Sequence, residues 1–427
     1  MNGPPPSESQ GSLSSIPPTT VVSRPSGLSS LRTLLLLLVV LLVGRHVVLV
    51  MRIITITNPI DLWTYYLHTR MLWEGADPTD VGQLLLYGER LGLRPLRGVN
   101  PPTFYLLFLP LALLPWTVTR VVWLLLSESA LGGIGWIVWT ELKKRGADGV
   151  ESALIVAGFV SVFYPVQQTL ALGQVDLFVG LVVAAMGVAL AKGQRTFAGI
   201  LALVAGGIKV QLGAVAVFLI LSGRVRRESW AILAGGGLWL GGVIAVFGFH
   251  TVTAYLQYLI TFIGGGLDAM EVNYSLNGLL GRVLLPRVER AIAEATYTVL
   301  TMAVALFSLR VVLCCRNPGA LGHWLWVGFL PLTVWMLSPL SEEHHLAWII
   351  APLLISCVDW APRVSALQGA LFILASVLIG VQYYPHSVWT GVDLFSDFLR
   401  SSKFLGPALL WALLSWVLLK RGVGRAA

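Results

Sequence analysis

The amino-acid sequence predicts an all-α polytopic membrane protein of about twelve transmembrane helices. Of its 427 residues, 56% are hydrophobic and only 12% are charged, and the mean hydropathy is +0.79. A soluble protein carries about a quarter charged residues. The long apolar runs also exclude an outer-membrane barrel, whose strands alternate polar and apolar residues. This composition excludes a soluble enzyme, a disordered chain and a coiled coil.

The first thirty residues differ from the rest of the chain because they are rich in proline, serine and glycine. Such a composition cannot bury an apolar core, so we expect a disordered cytoplasmic tail over 1–30 and one transmembrane domain over 31–427. The positively charged start of a signal peptide is missing. The apolar run 34–50 is then an uncleaved first helix, and Arg24 and Arg32 hold its start in the cytoplasm.

The remaining apolar runs, and the basic loops between them, predict the topology. Eleven further spans are expected at about 118–140, 151–168, 175–191, 196–210, 211–223, 230–249, 291–312, 321–339, 345–358, 364–382 and 405–420. Both termini then lie in the cytoplasm, and so do the basic loops at 143–145, 192–195, 224–227, 316, 363 and 420–421. The apolar stretch 103–115 is interpreted as a half-length helix, because a crossing there would move the later basic loops outside.

Two long outer loops follow from this topology, at about 52–120 and 250–290. The first is expected to form amphipathic helices on the bilayer surface, anchored by Trp63, Tyr65, Tyr66 and Trp73. The net charge of +8 is explained by loop arginines and anionic lipid headgroups, so no nucleic-acid partner is expected. The three cysteines have no spacing typical of a zinc site or a disulfide framework.

Polar residues that are unusual beside apolar helices gather on the outer side of this topology. In chain order they are Asp61, Asn100, Gln174, Asp176, Lys209, Gln211, Asn273, Ser275, Arg282, Glu342, Glu343, His344 and His345. Ordinary explanations exist for single members, such as a helix N-cap for Asp61, a helix start for Asp176 and contact with lipid headgroups for Arg282. Their convergence on one face favours a binding or catalytic site.

Lys209 is the sharpest of these anomalies, because the run 198–221 is apolar apart from Lys209 and Gln211. A lysine inside a membrane costs about 3 kcal/mol unless it snorkels or is paired. The functional alternative to snorkelling is a cation that binds an anionic phosphate. His344 and His345 are adjacent and lack the i, i+4 spacing of helical metal ligands, so no metal site is predicted.

The order of these motifs resembles glycosyltransferase family 87 of the GT-C superfamily. The motifs are the aspartate after the first helix, Asn-Pro-Pro at 100–102, Leu-Gly-Gln-Val-Asp at 172–176, Gly-Ile-Lys-Val-Gln at 207–211, Asn-Tyr-Ser-Leu-Asn-Gly at 273–278 with Arg282, and Glu-His-His at 343–345. The resemblance covers about 61–350. It implies a GT-C-like helical bundle that transfers a hexose, often mannose, from a polyprenyl-phosphate donor to a lipid or glycan acceptor. It also implies that the transfer occurs on the outer face of the cytoplasmic membrane.

By this resemblance Asp61 is the catalytic base, which takes a proton from the acceptor hydroxyl as that hydroxyl attacks the anomeric carbon. A single displacement inverts the anomeric centre. No cofactor and no metal ion are expected. The expected substrate-binding residues are Asn100, Gln174, Asp176, Lys209, Gln211, Asn273, Ser275, Arg282, Glu342, His344 and His345.

Three other classes of protein share parts of this pattern. A transporter or flippase of a lipid-linked sugar is the main alternative, although its polar groups should extend through the full membrane depth. An oligosaccharide polymerase or ligase would also act on the outer face, but with a larger later outer loop. A purely structural membrane partner leaves Lys209 unexplained.

Overall fold

The structure is a computed structural model of the chain. It describes residues 27–55, 59–92, 98, 100–221, 229–315, 319–360, 365–382 and 393–423. Most of the predicted tail, residues 1–26, lies outside this part of the chain, and so do the basic loops within 222–228, 316–318 and 361–364. The first helix begins at Gly27, so the last four residues of the predicted tail are helical.

Seven helices form the N-terminal part of the described chain. They are α1 (Gly27–Thr55), α2 (Ile60–Trp73), α3 (Val81–Leu91), α4 (Pro102–Ala112), α5 (Trp116–Lys144), α6 (Gly149–Val162) and α7 (Tyr164–Leu172). The chain bends by 55° between α6 and α7. Pro165 causes this break because it has no N–H to donate to the carbonyl of Ser161. The side chain of Gln167 donates to that carbonyl instead, at 3.0 Å.

Twelve more helices complete the described chain, and two short 3₁₀ segments interrupt them. The helices are α8 (Asp176–Ala191), α9 (Arg195–Ile208), α10 (Gly213–Leu221), α11 (Ser229–Phe247), α12 (Phe249–Ile263), α13 (Leu276–Leu284), α14 (Arg290–Cys314), α15 (Gly319–Leu337), α16 (Ile350–Trp360), α17 (Ala366–Gly380), α18 (Leu394–Arg400) and α19 (Ser402–Val423). The 3₁₀ segments are Val210–Leu212 and Glu343–Ile349.

Five described helices, α1, α5, α11, α14 and α19, are long and apolar enough to cross a membrane, and the bent pair α6–α7 makes a sixth candidate. The chain is therefore an all-helical, multi-pass membrane protein. Several other apolar helices have only 10–17 residues. The predicted total of twelve spans requires the shorter helices other than α4 to cross as well, and it stays a prediction.

The apolar stretch that was interpreted as a half-length helix is α4. It has 11 residues, and at about 1.5 Å per residue it is roughly 16 Å long. A bilayer has a hydrocarbon core of about 30 Å. By its length α4 therefore agrees with an element that enters the membrane without crossing it.

α8 lies at the centre of the packed core, against α5, α9, α15 and the 3₁₀ segment Glu343–Ile349. Large aromatic side chains fill this region, and Trp324 and Trp348 are no more than 1% exposed. Gly187 permits the closest approach, because a Cβ there would lie 2.6 Å from the Trp324 ring. A closely packed core of this kind has low compressibility. The first turn of α8 is therefore held in a fixed position, and so are the polar groups that it carries.

Gly173 ends α7 in the left-handed conformation, with φ +71°, and lets α2 approach the start of α8. A Cβ at this position would lie 2.7 Å from Cβ of Leu62 and 2.9 Å from Cβ of Pro59. The carbonyl of Gly173 accepts a hydrogen bond from Nε1 of Trp123 at 2.9 Å. The conformation and the crowding both require glycine at this position.

We expect Gly173→Ala to destabilise the protein more than Gly193→Ala. Both glycines have φ +71°, but only Gly193 has open space around the position of a Cβ. Alanine costs about 1–2 kcal/mol in the left-handed region at either position, and overpacking against α2 adds about 1–3 kcal/mol at position 173. Thermal unfolding midpoints of the two purified variants in detergent measure the difference, and equal midpoints would contradict this account of Gly173.

Candidate active site

A cavity of about 390 Å³ lies where α2, α12, the α9–α10 turn and the segment after α15 meet. This volume is typical of small-molecule sites in proteins. Eight of the predicted site residues line it: Asp61, Asn100, Gln174, Lys209, Gln211, Glu342, His344 and His345. The structure therefore brings together residues that are as much as 284 positions apart in the chain, counted from Asp61 to His345.

Lys209 is at the tip of a hairpin between two short apolar helices. α9 ends at Ile208, the backbone of Lys209 is extended, and a 3₁₀ turn leads into α10. A Cβ on Gly206 would lie only 2.8 Å from Cα of Gly213, so the chain must reverse direction between them. The lone lysine of the apolar run is therefore turned into the cavity, and it is only 5% exposed.

The Lys209 ammonium is neutralised by Asp176, the first residue of α8. Its Nζ lies 3.3 Å from Oδ1 of Asp176 and 3.4 Å from Oε1 of Gln174. Asp176 is fully buried, and the same Oδ1 accepts a hydrogen bond from Nε1 of Trp348 at 2.5 Å. A carboxylate in the first turn of a helix is also favoured by the helix dipole. A buried ion pair is stabilised by further hydrogen bonds to its members, which Gln174 and Trp348 provide here, while Oδ2 of Asp176 has no hydrogen-bond partner among the described residues.

Gln174 connects this ion pair with Asp61. Its Oε1 accepts hydrogen bonds from Lys209 and from the hydroxyl of Tyr65. Its side chain is also hydrogen-bonded to the carboxylate of Asp61. Because the amide oxygen faces two donors, the amide NH₂ group faces the carboxylate. Asp61 and Lys209 thus interact with opposite ends of one side chain.

The environment of Asp61 shifts its ionisation. Burial raises the pKa of Asp61 to about 6, although the Lys209 charge and the hydrogen bond from Gln174 oppose that rise. Asp61 is therefore mostly ionised at neutral pH. A carboxylate with a pKa close to the working pH is suited to accept a proton in a reaction.

Glu342, His344 and His345 form the facing wall of the cavity, at the 3₁₀ segment before α16. Nδ1 of His345 accepts a hydrogen bond from the backbone N–H of Glu342 at 3.3 Å, so the neutral ring carries its proton on Nε2. His344 lies between Asp176 and Glu342, with ring nitrogens 3.6 Å from a carboxylate oxygen of each. Burial, and next the charge of Asp61, raise the pKa of Glu342 to about 7.

Asp176, His344 and His345 place possible metal ligands within 4.8 Å of one another. However, Lys209 and Trp348 already direct their donor groups at Asp176. An ammonium at 3.3 Å from the only carboxylate of the cluster also repels a divalent cation. Within the described part of the chain, Oδ2 of Asp176 and both ring nitrogens of His344 have no hydrogen-bond partner, but the Lys209 ammonium beside the carboxylate makes the cluster a poor site for a divalent cation.

Asn273 and Ser275, predicted to bind substrate, are not in the lining of this cavity. The Asn273 side chain donates to the carbonyl of Pro339 at 2.8 Å, and it accepts from the hydroxyl of Ser275 at 2.8 Å and from the N–H of Ser341 at 3.2 Å. Both residues are fully buried. They fasten the loop before α13 to the segment that carries Glu342.

Arg282, predicted to bind phosphate, is also outside the lining. Its guanidinium donates to the carbonyls of Met270 and Asn273, both at 2.8 Å, and to the hydroxyl of Ser401 at 2.9 Å. Arg282 therefore organises the loop before α13 and joins it to the region before α19. Its Nη2 has no hydrogen-bond partner in the residues that the structure describes, and the predicted contact with phosphate stays a prediction.

Several interactions that build the candidate site were not predicted from the sequence. Tyr65, expected to anchor the protein at the membrane interface, is 2% exposed and donates to Gln174. Glu343 and Lys403 form a buried ion pair of 2.8 Å, which fastens the Glu342 segment to α19. Lys403 had a weaker signal than Lys209, because it lies at the edge of an apolar run and follows Arg400 by three residues. Tyr65 had no signal, because membrane proteins are rich in aromatic residues.

Comparison with known proteins agrees with the order of the sequence motifs. Residues 99–339 match the model of glycosyltransferase family 87. Two curated relatives share the name polyprenol-phosphate-mannose-dependent alpha-(1-2)-phosphatidylinositol pentamannoside mannosyltransferase. The one from Mycobacterium tuberculosis (strain CDC 1551 / Oshkosh) is 26% identical over 285 residues, which are 65% of this chain and 62% of that protein. The one from Mycolicibacterium smegmatis (strain ATCC 700084 / mc(2)155) is 25% identical over 341 residues, 75% of this chain and 78% of that protein.

The alignment with the first relative thus spans less than two thirds of that protein's length. The region that matches the family contains Gln174 and Lys209, which line the cavity, and Asp176, which is not in the lining but pairs with Lys209. Asp61 precedes that region, and Glu342 follows it. Since the family model matches more than half of the chain, the protein belongs to glycosyltransferase family 87.

Proposed function

We propose that this protein is a membrane mannosyltransferase that moves mannose from a polyprenyl-phosphate donor to a lipid or glycan acceptor. The proposal depends on one observation: the Asp61 carboxylate and the Lys209 ammonium line a single cavity with apolar walls. The names of the two relatives support mannose, the polyprenol-phosphate donor and a phosphatidylinositol mannoside as the class of acceptor.

Asp61 acts as the general base in this reaction. It takes the proton of the acceptor hydroxyl while the hydroxyl oxygen forms a bond to the anomeric carbon of the donor. The bond from that carbon to the phosphate oxygen breaks, and the polyprenyl phosphate leaves as an anion. Because nucleophile and leaving group occupy opposite sides of the carbon, one displacement inverts its configuration.

Lys209 stabilises the negative charge that develops on the departing phosphate. An ammonium has three N–H donors, and the contacts with Asp176 and Gln174 use two of them. The third is left for a ligand. His345 supplies a second donor to the cavity, because its Nδ1 is occupied and its Nε2 carries the proton.

The apolar side of the cavity suits a lipid carrier. Leu259, Phe262 and Ile263 of α12 line it together with Leu340. Other side chains of α12 point away from the protein, and Ile260 is 71% exposed. A polyprenyl chain then reaches the cavity sideways from the bilayer. With the topology predicted by the basic loops, the reaction occurs on the outer face of the cytoplasmic membrane.

Asp61→Asn is expected to slow mannose transfer by about 10²-fold or more, because the amide cannot accept the proton. The measurement is transfer of radiolabelled mannose from polyprenyl-phosphate-mannose to glycolipid by the purified protein. Asp80→Asn is the matched control, since Asp80 caps α3 and asparagine caps a helix equally well. Full activity of Asp61→Asn, with unchanged thermal stability of both variants, would exclude Asp61 as the base.

Lys209→Met is expected to raise the KM for the donor about tenfold or more, by loss of a charge-assisted hydrogen bond. It should also shift the pH profile. Activity needs ionised Asp61 and is lost in the wild type as the pH falls through about 6. Lys209 lowers the pKa of Asp61, so its removal raises that pKa and moves the loss to higher pH. Lys209→Arg keeps the charge and should retain the wild-type profile, whereas an unchanged KM and pH profile in Lys209→Met would assign Lys209 a structural role only.

Removal of divalent metal ions is expected to leave the rate of transfer unchanged. The reason is that Lys209 already neutralises Asp176, the carboxylate that a cation would need. The same transfer assay, performed after dialysis against EDTA and again after addition of Mg²⁺ or Mn²⁺, measures this. A loss of activity that either ion restores would show that the Asp176–His344–His345 cluster holds a metal.

A further inference from the structure

A second cavity, of about 490 Å³, lies between α1 and α7 and shares no lining residue with the candidate active site. Arg45, His46 and Arg52 of α1 line one side of it, and Tyr164, Gln167 and Gln168 of α7 line the other. Arg45 and Arg52 are seven residues apart and therefore lie on the same face of the helix. Two guanidinium groups thus face one cavity at the edge of the bundle.

Arg45 lies inside the membrane-spanning stretch Thr33–Thr55, ten residues before its end. Its Nη2 donates to Oε1 of Gln167 at 3.0 Å, and Gln167 is neutral. Within the part of the chain that the structure describes, Arg45 has no carboxylate at ion-pair distance. A guanidinium has five N–H donors, so most of its donors are left for a ligand. A cation within a membrane span is costly without a negative partner, and Arg52 extends the same cavity towards the end of the span, where lipid headgroups lie.

The surroundings of α1 indicate that this partner is a lipid. α1 packs mainly on α6 and α7. Its other side chains face outward, and Leu41 is 70% and Val48 56% exposed. In a membrane, lipid covers these residues, so a ligand that reaches Arg45 comes from the surrounding lipid.

Two buried polar atoms in the lining indicate what else the ligand carries. Oε1 of Gln168 and Nδ1 of His46 have no hydrogen-bond partner. An amide oxygen can only accept hydrogen bonds. Nε2 of His46 lies 3.2 Å from the Glu128 carboxylate, so it donates there and leaves Nδ1 of the neutral ring as an acceptor. The cavity therefore offers cationic donors for an anion and two acceptors for hydroxyl groups.

We propose that this cavity binds the headgroup of an anionic phospholipid with free hydroxyl groups, of the phosphatidylglycerol or phosphatidylinositol kind. The phosphate accepts hydrogen bonds from Arg45 and Arg52, and the hydroxyls donate to Gln168 and His46. A headgroup with an amine would bring a cation beside two arginines, and a choline headgroup has no hydroxyl to donate. The proposal does not rest on the proposed transfer reaction, since it uses none of the residues of the active-site cavity.

Native mass spectrometry of the purified protein tests the proposal. The wild type should bind phosphatidylglycerol about tenfold more tightly than phosphatidylcholine, and Arg45→Gln/Arg52→Gln should lose that preference. Arg310→Gln, which removes an exposed arginine of α14, should keep it. Equal binding of the two lipids by the wild type, or an unchanged preference in the double variant, would overturn the proposal. Displacement of the lipid by millimolar inorganic phosphate would also overturn it, because the site would then take a free anion.

The role of the hydroxyl groups is tested with phosphatidylmethanol, which has the same charge as phosphatidylglycerol but no free hydroxyl. The wild type should prefer phosphatidylglycerol, and Gln168→Met, which removes one of the two acceptors, should show a smaller preference. If the wild type binds both equally, the hydroxyl part of the proposal is wrong.

A measurement on the wild type alone covers the case in which the arginine variants fail to fold. In nanodiscs, phosphatidylglycerol should protect Arg45 from an arginine-modifying reagent relative to phosphatidylcholine, while Arg310 in the same sample should react equally in both. Equal modification of Arg45 in the two lipids would contradict the proposal.

Discussion

A buried ammonium needs a negative partner, and the neutralisation of Lys209 determines how the cavity is built. Asp176 supplies the charge from the first turn of α8, and Trp348 and Gln174 complete the hydrogen bonds. This pairing sets the position of the α9–α10 turn relative to the centre of the core. Because Gly173 lets α2 approach the same point, Asp61 comes within reach of the Gln174 amide.

The charges of the cavity also constrain how an anionic donor can bind. Lys209 and Asp176 cancel each other, so the ionised Asp61 leaves the cavity negative before any ligand arrives. Glu342 would add a second negative charge, but burial and the charge of Asp61 raise its pKa to about 7. Two carboxyl groups that interact in this way lose their protons in two steps that belong to the pair. In the proposed reaction a bound phosphate would favour the protonated form of Glu342, which has the higher pKa of the two, while Asp61 stays ionised.

The helical class, the family and most of the site could be predicted from the sequence, because lone polar residues in apolar runs such as Lys209 need a tertiary explanation. The partners of these residues could not be predicted. Arg282 has the chemistry of a phosphate ligand, but its Nη1 donates to the carbonyls of Met270 and Asn273, and only Nη2 has no partner among the residues described. The residue type determines how many hydrogen bonds a side chain can make. The tertiary fold determines which acceptors lie close to it. For the same reason the pairing of Glu343 with Lys403 became visible only in the structure.

Lys209 and Arg45 show two ways in which a membrane protein can hold a cation. Lys209 has its own carboxylate, so its charge is tolerated when no ligand is bound. The proposed transfer reaction requires this, because its anionic substrate would arrive and leave in every cycle. Arg45 has only a neutral amide as its described partner, so its charge is tolerated only while an anion from outside the chain stays beside it. Compensation within the chain is therefore the physical difference between the cation that we propose for catalysis and the one that we propose binds a lipid.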